Sequence, residues 1–166
     1  MNSYSQQVLD ALEVFSEYIT VDQPYKDMNK ASYHTLHSHF KNLPSCVFSN
    51  RKLKNLYHFN LAQNRDNLHT DSGIVSCTTK AGISHIKFEW EFREGDCLYK
   101  LVSPPEKIVS VSKLYNTLNR IGIESGSSWL KSRIYNEKEY IVLLEEVVAQ
   151  KVEEWDNEDY RWRNVK

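Results

Sequence analysis

The stretch NEKEYIVLLEEVVAQKVEEW, residues Asn136 to Trp155, carries the strongest periodicity in the chain. Asn136, followed three residues later by Glu139, matches the pattern of a helix N-terminus. The apolar residues that follow recur at helical spacing and form one stripe: Tyr140, Leu143, Leu144, Val147, Val148, Val152 and Trp155. The spacing therefore predicts a helix over residues 137–155. On the exposed face of this helix the wheel places four glutamates: Glu145, Glu146, Glu153 and Glu154.

Three further segments show helical spacing, and turn-forming residues mark their ends. Residues 5–19 carry a continuous apolar stripe, and residues 29–42 carry a second one that stops before Pro44. Residues 110–122 end at Gly122, where a glycine suits a C-terminal cap. Helices are predicted in all three segments.

Strand patterns occupy the middle of the chain and one later segment. Alternation predicts strands in LYHFNLA, residues 56–62, in IVSCTT, residues 74–79, and in SSWLKSRIY, residues 127–135. The segment GISHIKFEWEFREGDCLYKLVS, residues 82–103, predicts a hairpin that turns at Glu94 and Gly95. This register sets aromatic and apolar residues opposite one another across the two strands.

The order of these elements favours an α+β fold over a parallel βαβ design, because helices and strands do not alternate strictly. A chain of 166 residues with 40% hydrophobic residues is long enough to bury one core. We therefore expect a single domain over residues 1–166, with a mainly antiparallel sheet of about five strands and helices packed against it. Residues 156–166 are predicted to form a short polar and aromatic C-terminal tail.

The composition is typical of an ordinary soluble protein. The net charge is -1, and the longest strongly apolar run, YIVLL at residues 140–144, is far too short to span a bilayer. No basic segment with a cleavage site precedes the first helix, so a cytoplasmic location without a membrane partner is expected. Cys46, Cys77 and Cys97 are widely spaced, which predicts reduced and mostly buried thiols.

Three histidines cluster in YHTLHSHF, residues 33–40, and raise the question of a metal site. On a helix, His34 and His37 lie one turn apart, whereas His39 points away from His34. The zinc motif HExxH needs a different spacing and a glutamate, and a catalytic zinc ion needs three protein ligands. Metal binding at His34 and His37 is therefore the weaker interpretation, and no cofactor is predicted.

Other enzymatic motifs are missing or partial. Glu89 and Glu91 would share one face of the predicted strand, but the face is solvent-exposed and Lys100 lies opposite Glu89. No serine stands in GxSxG, and GIESGSSW lacks the ending of a phosphate-binding loop. The sequence favours a protein that is not an enzyme.

Basic residues beside aromatic residues supply an alternative, because such pairs bind phosphate and stack on bases. Arg51, Lys52 and Lys54 precede Tyr57 and Phe59. The ending YRWR interleaves Tyr160 and Trp162 with Arg161 and Arg163. A nucleic-acid-binding or nucleic-acid-processing protein of a bacterium or phage is the alternative interpretation.

Acidic residues concentrate near the end of the chain. Residues 137–159 contain nine acidic and two basic residues, a net charge of -7. Such a surface attracts a basic protein, and the aromatic residues that follow are types that anchor interfaces. We predict a partner-binding surface formed by Glu145, Glu146, Glu153, Glu154, Asp156, Glu158, Asp159, Tyr160 and Trp162.

The favoured function is a non-catalytic cytoplasmic inhibitor that binds another protein. An immunity or antitoxin protein of bacteria or phages that covers the basic surface of a nuclease-like toxin fits best. The same features would also fit a merely solvated helix face or a dimeric secretion chaperone.

Overall fold

The computed structural model describes residues 3–20, 30–49, 55–61, 73–123, 128–136, 138–145 and 147–165. Within them the chain forms five α-helices: α1 Gln6–Thr20, α2 Lys30–His39, α3 Lys80–Glu89, α4 Val111–Arg120 and α5 Ser128–Tyr135. It also forms seven strands: β1 Leu56–Asn60, β2 Ile74–Cys77, β3 Cys97–Val102, β4 Ile108–Ser110, β5 Tyr140–Leu143, β6 Val148–Asp156 and β7 Arg161–Asn164.

The strands form two antiparallel sheets. One sheet has the order β1-β3-β6-β7, and the other has the order β2-β5-β4. A bridge between Tyr57 and Thr78 joins β1 to the residue that follows β2, so the two sheets are linked at one corner. The predicted α+β class is confirmed, with two sheets in place of the expected single one.

The elements pack in four layers. Helices α1, α2, α4 and α5 cover one face of the three-stranded sheet, where Ile141 of β5 contributes to the largest apolar core. The opposite face of that sheet, with Val142, packs against Leu56 and Leu101 of the four-stranded sheet. The far face of the four-stranded sheet is covered by α3, which contributes Ile86 to a third core.

Helices α1 and α4 confirm the predictions made from apolar spacing. In α1, Leu12, Phe15 and Ile19 recur on one face and are fully buried. In α4, the side chain of Ser110 accepts a hydrogen bond from the backbone N–H of Lys113 at 3.3 Å. Beyond its end, Gly122 has a φ of 79°, which is the left-handed conformation expected of a C-terminal cap. Residues 29–42 likewise contain α2, followed by a 3-10 turn at Phe40–Asn42.

The predicted helix over residues 137–155 is wrong, because this segment forms β5 and most of β6. Strand β5 lies between β2 and β4 and is covered on both faces, so it reads as a continuous apolar run without strand alternation. The run also contains the β-branched residues Ile141 and Val142, which favour strands. Glu139, predicted to cap a helix, is instead buried.

The predicted hairpin over residues 82–103 is half wrong. Its second half is strand β3, and the turn does lie at Glu94 and Gly95. Its first half is helix α3, in which Ile83 and Ile86 face the core while Phe88 is exposed. The two halves of the predicted hairpin therefore do not pair with each other, and β3 pairs with β1 and β6 instead.

The predicted strand over residues 127–135 is also wrong, since these residues form α5 from Ser128 onward. Leu130 and Arg133, three residues apart, are both buried. The buried arginine disguised the helical spacing, because charged residues are seldom buried unless paired.

One extra residue in β6 sets which way the side chains of its C-terminal half point. Leu98 pairs with Glu153 but Tyr99 pairs with Lys151, so the register skips Val152. Because of this bulge, the side chains that follow it point to the opposite faces of the sheet from those that an uninterrupted strand would give them.

Two further predictions concern membrane-spanning segments and the burial of the cysteines. Among the described helices, none combines the length and the apolar character needed to cross a bilayer. Cys77 and Cys97 are buried as predicted, whereas Cys46 is exposed.

Candidate functional site

The β6–β7 hairpin is mostly exposed to solvent. It forms one end of the four-stranded sheet, and it contains most of the residues predicted to bind a partner. Residues 156–166, predicted to be a tail, include its loop and strand β7, which pairs with β6 through Trp155 and Trp162.

The hairpin loop is fixed by its own side chains. One carboxylate oxygen of Asp156 accepts hydrogen bonds from the backbone N–H groups of Glu158 at 2.9 Å and Asp159 at 3.2 Å. The other oxygen pairs with the guanidinium of Arg163, which also contacts Asp159. The N–H of Asp159 and the charge of Arg163 hold the pKa of Asp156 below its usual value. Such bonds order the loop without help from a partner.

Tyr160 stands at the end of this loop. Its φ is 52°, a left-handed value that non-glycine residues seldom adopt, and its side chain is 75% exposed. The ring meets Trp155 edge to face, with ring centroids 6.1 Å apart. A large aromatic side chain is therefore exposed to solvent in a defined orientation.

An aromatic cluster anchors the base of the hairpin to the sheet. Phe92 lies 4.7 Å from Trp162 and 5.7 Å from Trp155, measured between ring centroids. Phe59 of β1 lies 5.6 Å from Trp162, and the Nζ atom of Lys87 sits 5.3 Å from the centroid of the same ring. Contacts of this kind restrain the hairpin against the rest of the domain.

The predicted acidic face does not exist as one surface. Glu153 and Glu154 are neighbours on a strand and so point to opposite faces of the sheet. Glu145 lies in the connection between β5 and β6. Glu146 falls outside the described residues.

Lysines lie next to the described glutamates of that set. Lys107 donates to Glu145 at 2.9 Å, and its hydrogen bond keeps the pKa of this carboxyl low. Lys87 donates to Glu153 at 2.8 Å, and Lys151 lies 3.2 Å from Glu154. These pairings reduce the local negative field on which the sequence-based prediction depended.

His37 and Glu145 were predicted for different sites, and the structure places both in one open cleft. The cleft has a volume of about 530 Å³ and lies between α2 and the end of β5. The side chain of His34 lies outside the described residues. Within the part of the chain that the structure describes, no three histidine, cysteine, aspartate or glutamate side chains are placed to hold a metal ion.

Sequence reasoning missed a buried ion pair between Arg133 and Glu139. The guanidinium donates to the carboxylate at 2.5 and 2.9 Å, and a second bond of 3.1 Å reaches the carbonyl of Tyr18. The hydroxyl groups of Tyr18 and Ser76 donate to the same carboxylate at 2.8 and 3.0 Å. Glu139 also borders a cavity of about 20 Å³, which has room for about one water molecule.

The remaining sequence candidates do not converge on a site. Glu89 is the last residue of α3 and Glu91 lies beyond its end, outside any strand, so the pair does not share a strand face. Arg51, Lys52 and Lys54 lie outside the described residues. Comparison of the chain with protein-family models, with curated proteins and with solved structures found no match.

Proposed function

We propose that the chain is a non-catalytic, cytoplasmic protein of the immunity or antitoxin type, which captures its target through the β6–β7 hairpin. The single observation that carries this proposal is the exposed ring of Tyr160 on a loop that its own aspartate holds in place. Tyrosine is among the residue types that contribute most to the binding energy of protein interfaces.

The fixed loop makes Tyr160 effective as an anchor. A flexible side chain or loop loses conformational entropy when it binds, and this loss reduces affinity. In this hairpin Asp156 and Arg163 already hold the loop, and Trp155 already contacts the tyrosine ring. The loop and the Tyr160 side chain would therefore lose little conformational entropy when the partner binds.

The charge of the hairpin favours a basic partner. Residues 148–164 contain five acidic and three basic residues, a net charge of -2. Glu158 is exposed in the loop, two residues before Tyr160. A nuclease-like toxin, with the basic surface that contacts phosphate, fits this charge.

Replacement of Tyr160 tests the proposal. The full chain is immobilised and incubated with host lysate, and retained proteins are identified by mass spectrometry. Tyr160→Asn keeps a residue that tolerates the left-handed backbone, so the loop should stay folded. We expect it to lose about 2 kcal/mol of binding free energy, roughly thirtyfold in affinity, for the protein that the unchanged chain retains.

The matched control is Tyr135→Asn, which removes another exposed tyrosine on α5, 67% exposed. It should retain the same protein as the unchanged chain. Equal retention by both variants would show that the hairpin is not the binding surface. Enzymatic assay of the captured protein, with and without the chain, then tests inhibition.

Nucleic-acid binding is the second candidate, and the position of Arg161 favours it. This arginine is 62% exposed and lies beside Tyr160, so a cation and a ring face solvent together. Arg163, however, is occupied by Asp156 and Asp159.

Titration with labelled single-stranded oligonucleotides at low and moderate salt separates the two candidates. We expect no saturable binding at moderate salt, because phosphate affinity falls steeply as salt rises and acidic residues outnumber basic ones on the hairpin. Saturable binding that Arg161→Ala weakens would favour the second candidate.

A further inference from the structure

We infer that the outer edge of β7 binds an extended segment of the partner as an additional antiparallel strand, with an acidic side chain of that segment opposite Arg161. This inference rests on the proposed function, and it names the part of the partner that the hairpin holds. Strand addition to a sheet edge is an established way for proteins to recognise extended segments.

The register of the sheet shows which backbone groups of β7 face outward. The backbone N–H of Trp155 donates to the carbonyl of Asp96, which precedes β3. The backbone N–H of Val165 donates to the carbonyl of Val152 in β6. Since hydrogen bonding alternates along an antiparallel pair, Arg161 and Arg163 bond toward β6. The backbone N–H and C=O groups of Trp162 and Asn164 therefore point to the outer edge.

The hairpin as a whole is acidic, but its edge strand β7 carries two arginines, so the space and the charge at this edge suit a strand with acidic side chains. An open groove of about 560 Å³ borders β7 and is lined by the whole strand together with Glu154 and Val165. Arg161 lies 3.8 Å from Asp159, beyond hydrogen-bond distance, and Arg163 already holds that aspartate. The guanidinium of Arg161 can therefore receive a carboxylate from the added strand.

The same arginines disfavour a second copy of this chain as the occupant. If the β7 strands of two copies paired, they would have to bond through the backbone N–H and C=O groups of Trp162 and Asn164 on both copies. The two antiparallel registers that overlap most of β7 then place Arg163 opposite either Arg161 or Arg163 of the other copy. Like charges directly opposite each other destabilise a strand pair, and charged edges are a common protection against self-association.

The test uses the isotope-labelled full chain and two synthetic peptides. One peptide alternates valine with glutamate, and its twin carries lysine in place of glutamate. We expect the amide signals of Trp162 and Asn164 to shift most in NMR titrations. The glutamate peptide should bind roughly tenfold tighter than its twin or more, because only glutamate can pair with Arg161.

Two edge variants make the test specific. Asn164→Pro removes an N–H that points away from β6, so it should fold and lose peptide binding, while Asn164→Ala keeps the N–H and should bind. Arg161→Glu should reverse the order of the two peptides, and this variant leaves the backbone of the strand unchanged.

Several results would overturn the inference. These are shifts confined to other residues, equal binding of both peptides, unchanged peptide binding by Asn164→Pro, and a dimer formed through these amides in the absence of peptide.

Failure of the proposed function can be distinguished from failure of strand addition. If Tyr160→Asn loses the captured protein while Asn164→Pro retains it, the proposed function stands and strand addition fails. If the glutamate peptide binds at β7 but Tyr160→Asn still retains the captured protein, the reverse holds.

Discussion

Replacement of Glu139 by glutamine is expected to lower the free energy of unfolding by about 3–5 kcal/mol, the cost typical of breaking a buried ion pair on one side. The carboxylate and its partner Arg133 are almost completely buried, with 5% and 3% of their side chains exposed. Glutamine keeps the shape of the side chain but leaves the guanidinium without its counter-charge. Urea denaturation followed by circular dichroism measures the change.

The structural position of the pair explains why the effect should be large. Arg133 belongs to α5, Tyr18 to α1 and Ser76 to β2, and all three meet at Glu139 just before β5. Loss of the carboxylate therefore weakens contacts among four elements. By contrast, Arg133→Met combined with Glu139→Leu should recover part of the loss, because it leaves no unpaired charge in the core, although the hydroxyl groups of Tyr18 and Ser76 lose the carboxylate to which they donate.

The pH dependence follows from the same pair. Burial alone would raise the pKa of Glu139, but the charge of Arg133 and the hydrogen bonds from Arg133, Tyr18 and Ser76 outweigh it and lower the pKa. The folded state then binds the proton less readily than the unfolded state. The contribution is complete above the ordinary glutamate pKa of about 4.3 and is lost as the pH falls through the lower folded value. Stability should therefore fall less steeply in acid for Glu139→Gln than for the unchanged chain.

The exposed pair Lys107 and Glu145 provides the control. Glu145→Gln breaks an ion pair whose carboxylate is more than half exposed, so the urea midpoint should hardly change. A comparable loss at both sites would show that burial does not set the cost.

Replacement of Phe59 by alanine is the second large effect, with an expected loss of about 3–5 kcal/mol. The ring is 7% exposed and contacts three aromatic partners, with centroids 5.8 Å from Trp90 and 5.6 Å from both Phe92 and Trp162. Its removal leaves a cavity between β1 and the base of the hairpin. Tryptophan fluorescence during urea unfolding measures the loss.

The same variant links stability to the proposed binding. The hairpin is attached to the domain through β3 and through this aromatic cluster, so a cavity at Phe59 should weaken partner capture although Tyr160 is unchanged. Phe88→Ala is the matched control, since that ring is 84% exposed and its loss should affect neither property. Full capture by Phe59→Ala would show that the hairpin does not need its aromatic base.

How much of the fold the sequence could predict depended on burial. Helix α1 has one apolar and one polar face, so its spacing indicated the correct element. Strand β5 is covered on both faces and has no polar face to break its apolar run. The run then joined the valines of β6 into an apparent helical stripe, although the β-branched Ile141 and Val142 favoured a strand.

The candidate site shows a similar division. Tyr160 and Trp162 could be singled out by residue type and by their place after an acidic segment. The neutralising lysines could not, because Lys87 and Lys107 lie far along the chain from Glu153 and Glu145. The run Asp156 to Asp159 was a usable signal for a turn, since aspartate and asparagine favour turns, but the apparent helix extended up to it.

The skipped residue Val152 makes the hairpin sensitive to odd changes in length. Deletion of one residue from β6 between the bulge and Trp155 would turn Trp155 and Trp162 to the opposite face of the sheet. Arg161 and Arg163 would then lie on the face that α3 covers. Removal of two residues would preserve the orientation and shorten the strand. Tolerance of length changes in this segment should therefore alternate between even and odd numbers.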